Sequence, residues 1–87
     1  MRILIAEPIA PEGVALLRAA HDVDERFGLD HSGLLAIVGE YDALIVRSQV
    51  QADAAVIAAG TRLQVVGRAG VGVDNVDLDA ADRKSVV

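Results

Sequence analysis

The chain has 87 residues, 53% of them hydrophobic, which makes it one small globular domain and not a disordered segment. Thirteen acids against eight bases leave a net charge of −5, the wrong sign for a nucleic-acid or anionic-membrane surface, and the absence of cysteine excludes disulfide and thiolate chemistry. No apolar run nears the roughly 20 residues of a membrane-spanning helix, and two separated histidines make a poor zinc site.

In chain order, Arg2-Ile3-Leu4-Ile5-Ala6 is a β-rich run stopped by Glu7-Pro8, too early for a secretory signal and right for a buried strand. Pro11 fits a first helical position, where its missing N–H leaves nothing unpaired, and Glu12 suits the dipole of that turn. Val14, Leu16, Leu17 and Ala20 carry this helix to about His21. Polar and apolar residues alternate over Asp22-Val23-Asp24-Glu25-Arg26-Phe27, which predicts an exposed edge strand. Gly28 breaks the chain, Asp30 or Ser32 can cap a second helix, and Leu34, Ile37, Val38 and Tyr41 recur at helical spacing. Ala43-Leu44-Ile45-Val46 is apolar throughout, as a parallel strand covered on both faces must be. A third helix spans about Ala52 to Ala59 and closes at Gly60; Leu63 and Val65-Val66 give a fourth strand. Asp77 can cap a fourth helix, Leu78 to Lys84, and Ser85-Val86-Val87 begins a fifth strand that reads as cut short.

Strands alternating with helices of this length predict an open, doubly wound α/β fold: a parallel sheet with helices on both faces. The charged second strand belongs at an edge and the apolar first and third in the middle, so the expected order is 2-1-3-4-5. With Phe27 and Tyr41 as its two aromatics, the core must be aliphatic. A chain of this size buries about 63% of its unfolded surface, so it is marginal alone and gains from a partner.

Ligands of such sheets bind beyond the carboxyl ends of the strands, near the switch in strand order. That rule selects Glu7-Pro8, Arg47-Ser48 and the stretch Arg68 to Asn75. Arg47 follows four apolar residues, and its planar guanidinium matches carboxylate or phosphate; the alternative is a surface arginine paired with Glu7 or Asp42. Gly67-Arg68-Ala69-Gly70-Val71-Gly72 bares backbone N–H groups that can form an anion cradle, the alternative being a structural turn. It is not the dinucleotide fingerprint: the third glycine position holds Asn75, and no acid follows about 20 residues on. Asp74 and Asp77 fit caps or arginine partners, Asn75 a turn, and His21 and His31 the surface. Glu7 is a lone carboxylate without the partner that acid–base work needs.

Three segments go further than spacing. Ile3-Leu4-Ile5-Ala6-Glu7-Pro8-Ile9, Tyr41-Asp42-Ala43-Leu44-Ile45-Val46-Arg47-Ser48 and Leu63 to Asp77, in that order over nearly the whole chain, resemble the start of the NAD-dependent D-2-hydroxyacid dehydrogenases. The Arg-Ala-Gly-x-Gly-x-Asp-Asn form of the third is similar to their phosphoglycerate branch. The resemblance implies that residues 1–87 are the N-terminal portion of a flavodoxin-like substrate-binding domain, with the NAD-binding domain elsewhere in a longer, homo-oligomeric enzyme; the cytoplasm is the compartment expected of a cysteine-free chain without a targeting or membrane segment. It implies Arg47 and Ser48 at the anionic end of a small 2-hydroxy acid, and backbone N–H groups of Gly70, Val71 and Gly72 at its carboxylate. It further implies Arg68 assisting substrate or loop, and Val71 near the nicotinamide of NAD. The family's catalytic histidine, its glutamate partner and its catalytic arginine have no match here, so this chain alone is expected to be inactive.

Two residues depart from the family pattern: Ser85 stands where glycine is usual, and Gln49 where a small or basic residue follows the Arg-Ser pair. Two other classes compete. A phospho-receiver shares the topology but needs an acidic pair after strand one and an aspartate after strand three, where Glu7-Pro8 and Arg47-Ser48 stand. A non-catalytic module could use an open strand edge for pairing with another chain.

Overall fold

The structure, a computed structural model, describes residues 1–47 and 49–68. Four parallel strands, β1 (Arg2–Ile5), β2 (Asp22–Glu25), β3 (Ala43–Val46) and β4 (Val65–Arg68), form one sheet in the order β2-β1-β3-β4. This is the expected order as far as the described residues reach. The expected fourth helix with its Asp77 cap, the fifth strand, and Ser85 lie outside them.

Strand composition accounts for the order. Side chains alternate between faces of a strand, and β1 and β3 are apolar on both. Leu4, Ala6, Leu44 and Val46 belong to one core cluster, while Ile3, Ile5 and Ala43 belong to a second. In β2 only Val23 is buried, opposite Ile3, so its acidic residues can remain in water at the edge.

The helices divide accordingly. Helix α1 (Pro11–Arg18) lays Val14 and Leu17 over the second cluster, and its Arg18 reaches β2 through the carbonyl of Val23 (3.1 Å) and the carboxylate of Glu25 (3.0 Å). Helices α2 (His31–Ile37) and α3 (Ala54–Ala59) cover the larger cluster with Leu34, Val56 and Ile57. No helix among the described residues is long and apolar enough to cross a membrane.

Several boundaries differ from expectation. The first helix stops at Arg18, before His21, which is half-buried with its Nδ1 shielded and lacking a hydrogen-bond partner among the described residues. Strand β2 ends at Glu25, leaving Phe27 46% exposed before Gly28, whose φ of 75° supplies the break. Of the two candidate caps for α2, Asp30 takes the role, accepting the N–H of Gly33 at 2.7 Å. The helical spacing through Tyr41 is broken: α2 ends at Ile37, tightens into a 3-10 turn over Val38–Glu40, and leaves Tyr41 extended. Tyr41 stays buried because its hydroxyl donates to Asp24 at 2.7 Å and the Arg2 guanidinium lies 4.9 Å above its ring. Helix α3 begins at Ala54 because Asp53 caps it, accepting the N–H of Val56 at 3.0 Å. Gly60 closes α3 with φ −78°, so its role is not left-handed backbone. Leu63 precedes β4 and packs in the core.

Candidate functional site

The carboxyl ends of β1, β3 and β4 bring together Glu7-Pro8, Arg47 with Gln49, and Arg68. Register sets the last neighbourhood: Val46 pairs with Arg68, so Arg47 leaves β3 one residue beyond the level at which Arg68 ends β4. Arg47 is exposed and Arg68 half-buried, two cations on adjacent strand ends. The Arg47 guanidinium also reaches the carbonyl of Pro8 at 3.4 Å, spanning the switch between β1 and β3.

Between these elements lies Glu7, 8% exposed and the one buried charged side chain among the described residues. Its Oε1 accepts the N–H of Gln49 at 3.1 Å. Its Oε2 accepts the N–H of Val50 at 3.1 Å and also the N–H of Arg47. The turn after β3 is therefore wrapped around a carboxylate from the turn after β1. Asp42, the other candidate partner of Arg47, sits before β3, at the opposite end of that strand, where it accepts the N–H of Arg2 at 2.8 Å and meets Arg62 at 3.6 Å.

Two clefts flank this junction. One of about 350 Å³ is lined by Glu7, Pro8, Arg47 and Gln49. The other, about 370 Å³, opens towards α2 and is walled by Phe27, Leu29, Leu34 and Val50, with Gln49 and His31 at its polar side. His31, expected simply at the surface, faces Asp53 at 2.9 Å and ties the start of α2 to the start of α3.

Of the residues singled out in the sequence, Arg47 and Arg68 are brought to one end of the sheet. Ser48, Gly70, Val71 and Gly72, along with Asp74 and Asn75, lie outside the described residues. The residue that sequence reasoning undervalued is Glu7. The available signal was a carboxylate closing an apolar strand at the switch point, followed by a proline with no N–H to offer it. A guanidinium of this kind can hold a carboxylate or phosphate as a planar fork. The turn after β1 does not fit a dinucleotide: where a pyrophosphate would need bare backbone, it carries the carboxylate of Glu7 and the ring of Pro8.

Comparison with known proteins places the chain in a family. The family model of the catalytic domain of D-isomer specific 2-hydroxyacid dehydrogenase matches residues 3–87. The chain is 42% identical over 88 residues to a D-3-phosphoglycerate dehydrogenase of Archaeoglobus fulgidus, covering 100% of this chain and 17% of that protein. It is 49% identical over 85 residues to a D-3-phosphoglycerate dehydrogenase of Mycobacterium tuberculosis, covering 98% and 16%. The fold is similar to that of the NAD+-bound 3-phosphoglycerate dehydrogenase of Entamoeba histolytica, with a TM-score of 0.85 and 28% identity over 99% of this chain and 31% of that one. The chain thus spans 16–17% of the length of these two curated relatives.

Proposed function

The chain belongs to the D-isomer specific 2-hydroxyacid dehydrogenases, and on that premise we propose that it is the N-terminal portion of the substrate-binding domain of an NAD-dependent D-3-phosphoglycerate dehydrogenase. The parent enzyme oxidises 3-phosphoglycerate to 3-phosphohydroxypyruvate, the reaction that feeds serine synthesis. The observation that carries this reading is the placement of the Arg47 guanidinium across the β1/β3 switch, at the end of the sheet where the neighbouring strand β4 ends in Arg68. In this reading Arg47 and Ser48 hold the anionic end of the substrate. The backbone N–H groups of Gly70, Val71 and Gly72 take its carboxylate, Arg68 braces the loop or the substrate, and Val71 adjoins the nicotinamide.

This chain's share of the chemistry is to bind and orient. NAD, when bound, accepts the hydride from C2; its cradle, like the base that takes the hydroxyl proton, belongs to the rest of the parent chain. A receiver function is not favoured, because a cation stands after β3 where a phosphoryl acceptor is required.

Titration of the isotope-labelled chain with 3-phosphoglycerate tests the reading. Amide shifts are expected at Arg47 and at residues 68–72, and Arg47→Ala should weaken binding about tenfold or more, since a hydrogen bond to a charged group is worth about 1.5–3 kcal/mol. The chain alone should not reduce NAD. A titration that leaves residues 47 and 68–72 unmoved overturns the proposal.

A further inference from the structure

Among the described residues from Arg47 to Gln51, no helix or strand shapes the turn after β3; an isolated bridge at Ala52 comes next. Partly buried backbone N–H groups there need acceptors from elsewhere. Three of them find the same side chain: the N–H groups of Arg47, Gln49 and Val50 all point at Glu7, 40 to 43 residues earlier. Successive backbone N–H groups converging on one point form an anion-binding concavity, and here the anion is the protein's own.

Two consequences follow. These three donors are spent, so the N–H groups of Arg47, Gln49 and Val50 are not the ones to hold a substrate anion, and the guanidinium of Arg47 is the cation this strand end offers. The direction in which Arg47 leaves β3 is also set by Glu7, because the N–H of Arg47 is one of the three donors and its Nη1 returns to the carbonyl of Pro8, the next residue. We infer that Glu7 is a positioning residue: its buried carboxylate fixes the backbone of Arg47, Gln49 and Val50 and thereby aims Arg47 at the anionic end of the substrate. The inference rests on the dehydrogenase reading for the ligand, though not for the turn. The sequence places Gln49 at the centre of this turn; with its N–H held by Glu7, its side chain lies free to line both clefts.

Glu7→Gln keeps the shape but turns one acceptor into an N–H donor facing other donors. Two readouts on the labelled 87-residue chain test the inference. In E7Q the amide protons of Arg47, Gln49 and Val50 should move upfield while those in the middle of β1 and β3 stay, and affinity for 3-phosphoglycerate should fall about tenfold. Glu7→Asp, which restores a carboxylate, should recover most of that loss, a rescue that simple weakening of the fold would not produce. Unmoved amides at 47, 49 and 50, or an E7Q chain that binds as tightly as wild type, would overturn the inference and leave the dehydrogenase reading standing. If the wild-type chain does not bind 3-phosphoglycerate, the dehydrogenase reading fails and the amide shifts alone decide whether Glu7 shapes the turn. Should E7Q not fold, hydrogen exchange in the wild type decides: amides of Gln49 and Val50 as slow as those of β3 support the inference, and exchange at the rate of an open loop overturns it.

Discussion

Gly60→Ala separates two accounts of why α3 ends on glycine. Its backbone, φ −78° and ψ 69°, is an inverse-γ conformation that an alanine adopts freely. On backbone grounds alone, then, alanine should stabilise the chain by about 0.4–1 kcal/mol through the unfolded state. Space gives the opposite sign. A Cβ on residue 60 would stand 2.3 Å from Leu63 Cδ1 and 2.6 Å from its Cγ, with the carbonyl oxygen of Val56 at 3.3 Å. Leu63 is 7% exposed and belongs to the larger core cluster with Val56 and Ile57, so it has no open side to turn to. Forced repacking of this kind costs about 1–3 kcal/mol. Set against the backbone gain, the expected net loss is about 1 kcal/mol, which corresponds to roughly 4–8 °C in Tm for a domain of this size. Urea denaturation of G60A and wild type measures it. In a Leu63→Ala background, where the obstructing atoms are gone, the same substitution should cost nothing further, and the double-mutant cycle should return a coupling of about 1–3 kcal/mol. A G60A chain as stable as wild type would refute the reasoning.

Asp53 both caps α3 through Oδ1 and meets His31 through Oδ2. Asp53→Ala should therefore cost about 1 kcal/mol, while Asp53→Asn, which still caps, loses only the exposed contact of the carboxylate with His31; equal urea midpoints for the two variants would contradict the capping role. Tyr41 has its pKa raised above 10.0 by burial, with the hydrogen bond to Asp24 and that residue's charge acting in the same direction. The unfolded chain then gives up the phenolic proton first, so stability should be full below pH 10 and decline as the pH rises further. Tyr41→Phe should remove that decline, and urea midpoints at pH 8, 9.5 and 10.5 that fall equally in both chains would count against it.

Burial leaves a periodic trace in a sequence, and the features that depended on burial could be read. The contrast between Ala43–Val46 and Asp22–Glu25 was enough to order the strands, and the order placed Arg47 at the switch point. The same trace could not separate a helix from a helix that tightens: Leu34, Val38 and Tyr41 are all buried, yet Tyr41 is extended, drawn to Asp24 and Arg2 on neighbouring strands. Nor could it find the start of α3, because Ala52 is fully buried and looks like the helix it precedes.

Glu7 was hidden for a deeper reason. Its partners are three backbone N–H groups, which every residue except proline carries, so no residue type 40 positions away marks the contact. A carboxylate beside an anion site reads as a liability when only side chains are counted. Once its oxygens are filled by backbone donors, its charge is answered locally, and under the proposed function the guanidinium next to it is the group that meets an incoming anion. Strand order can thus be read for where Arg47 and Arg68 gather, but what shapes the turn beside them cannot, because shaping is done by the part of the chain that all sequences share.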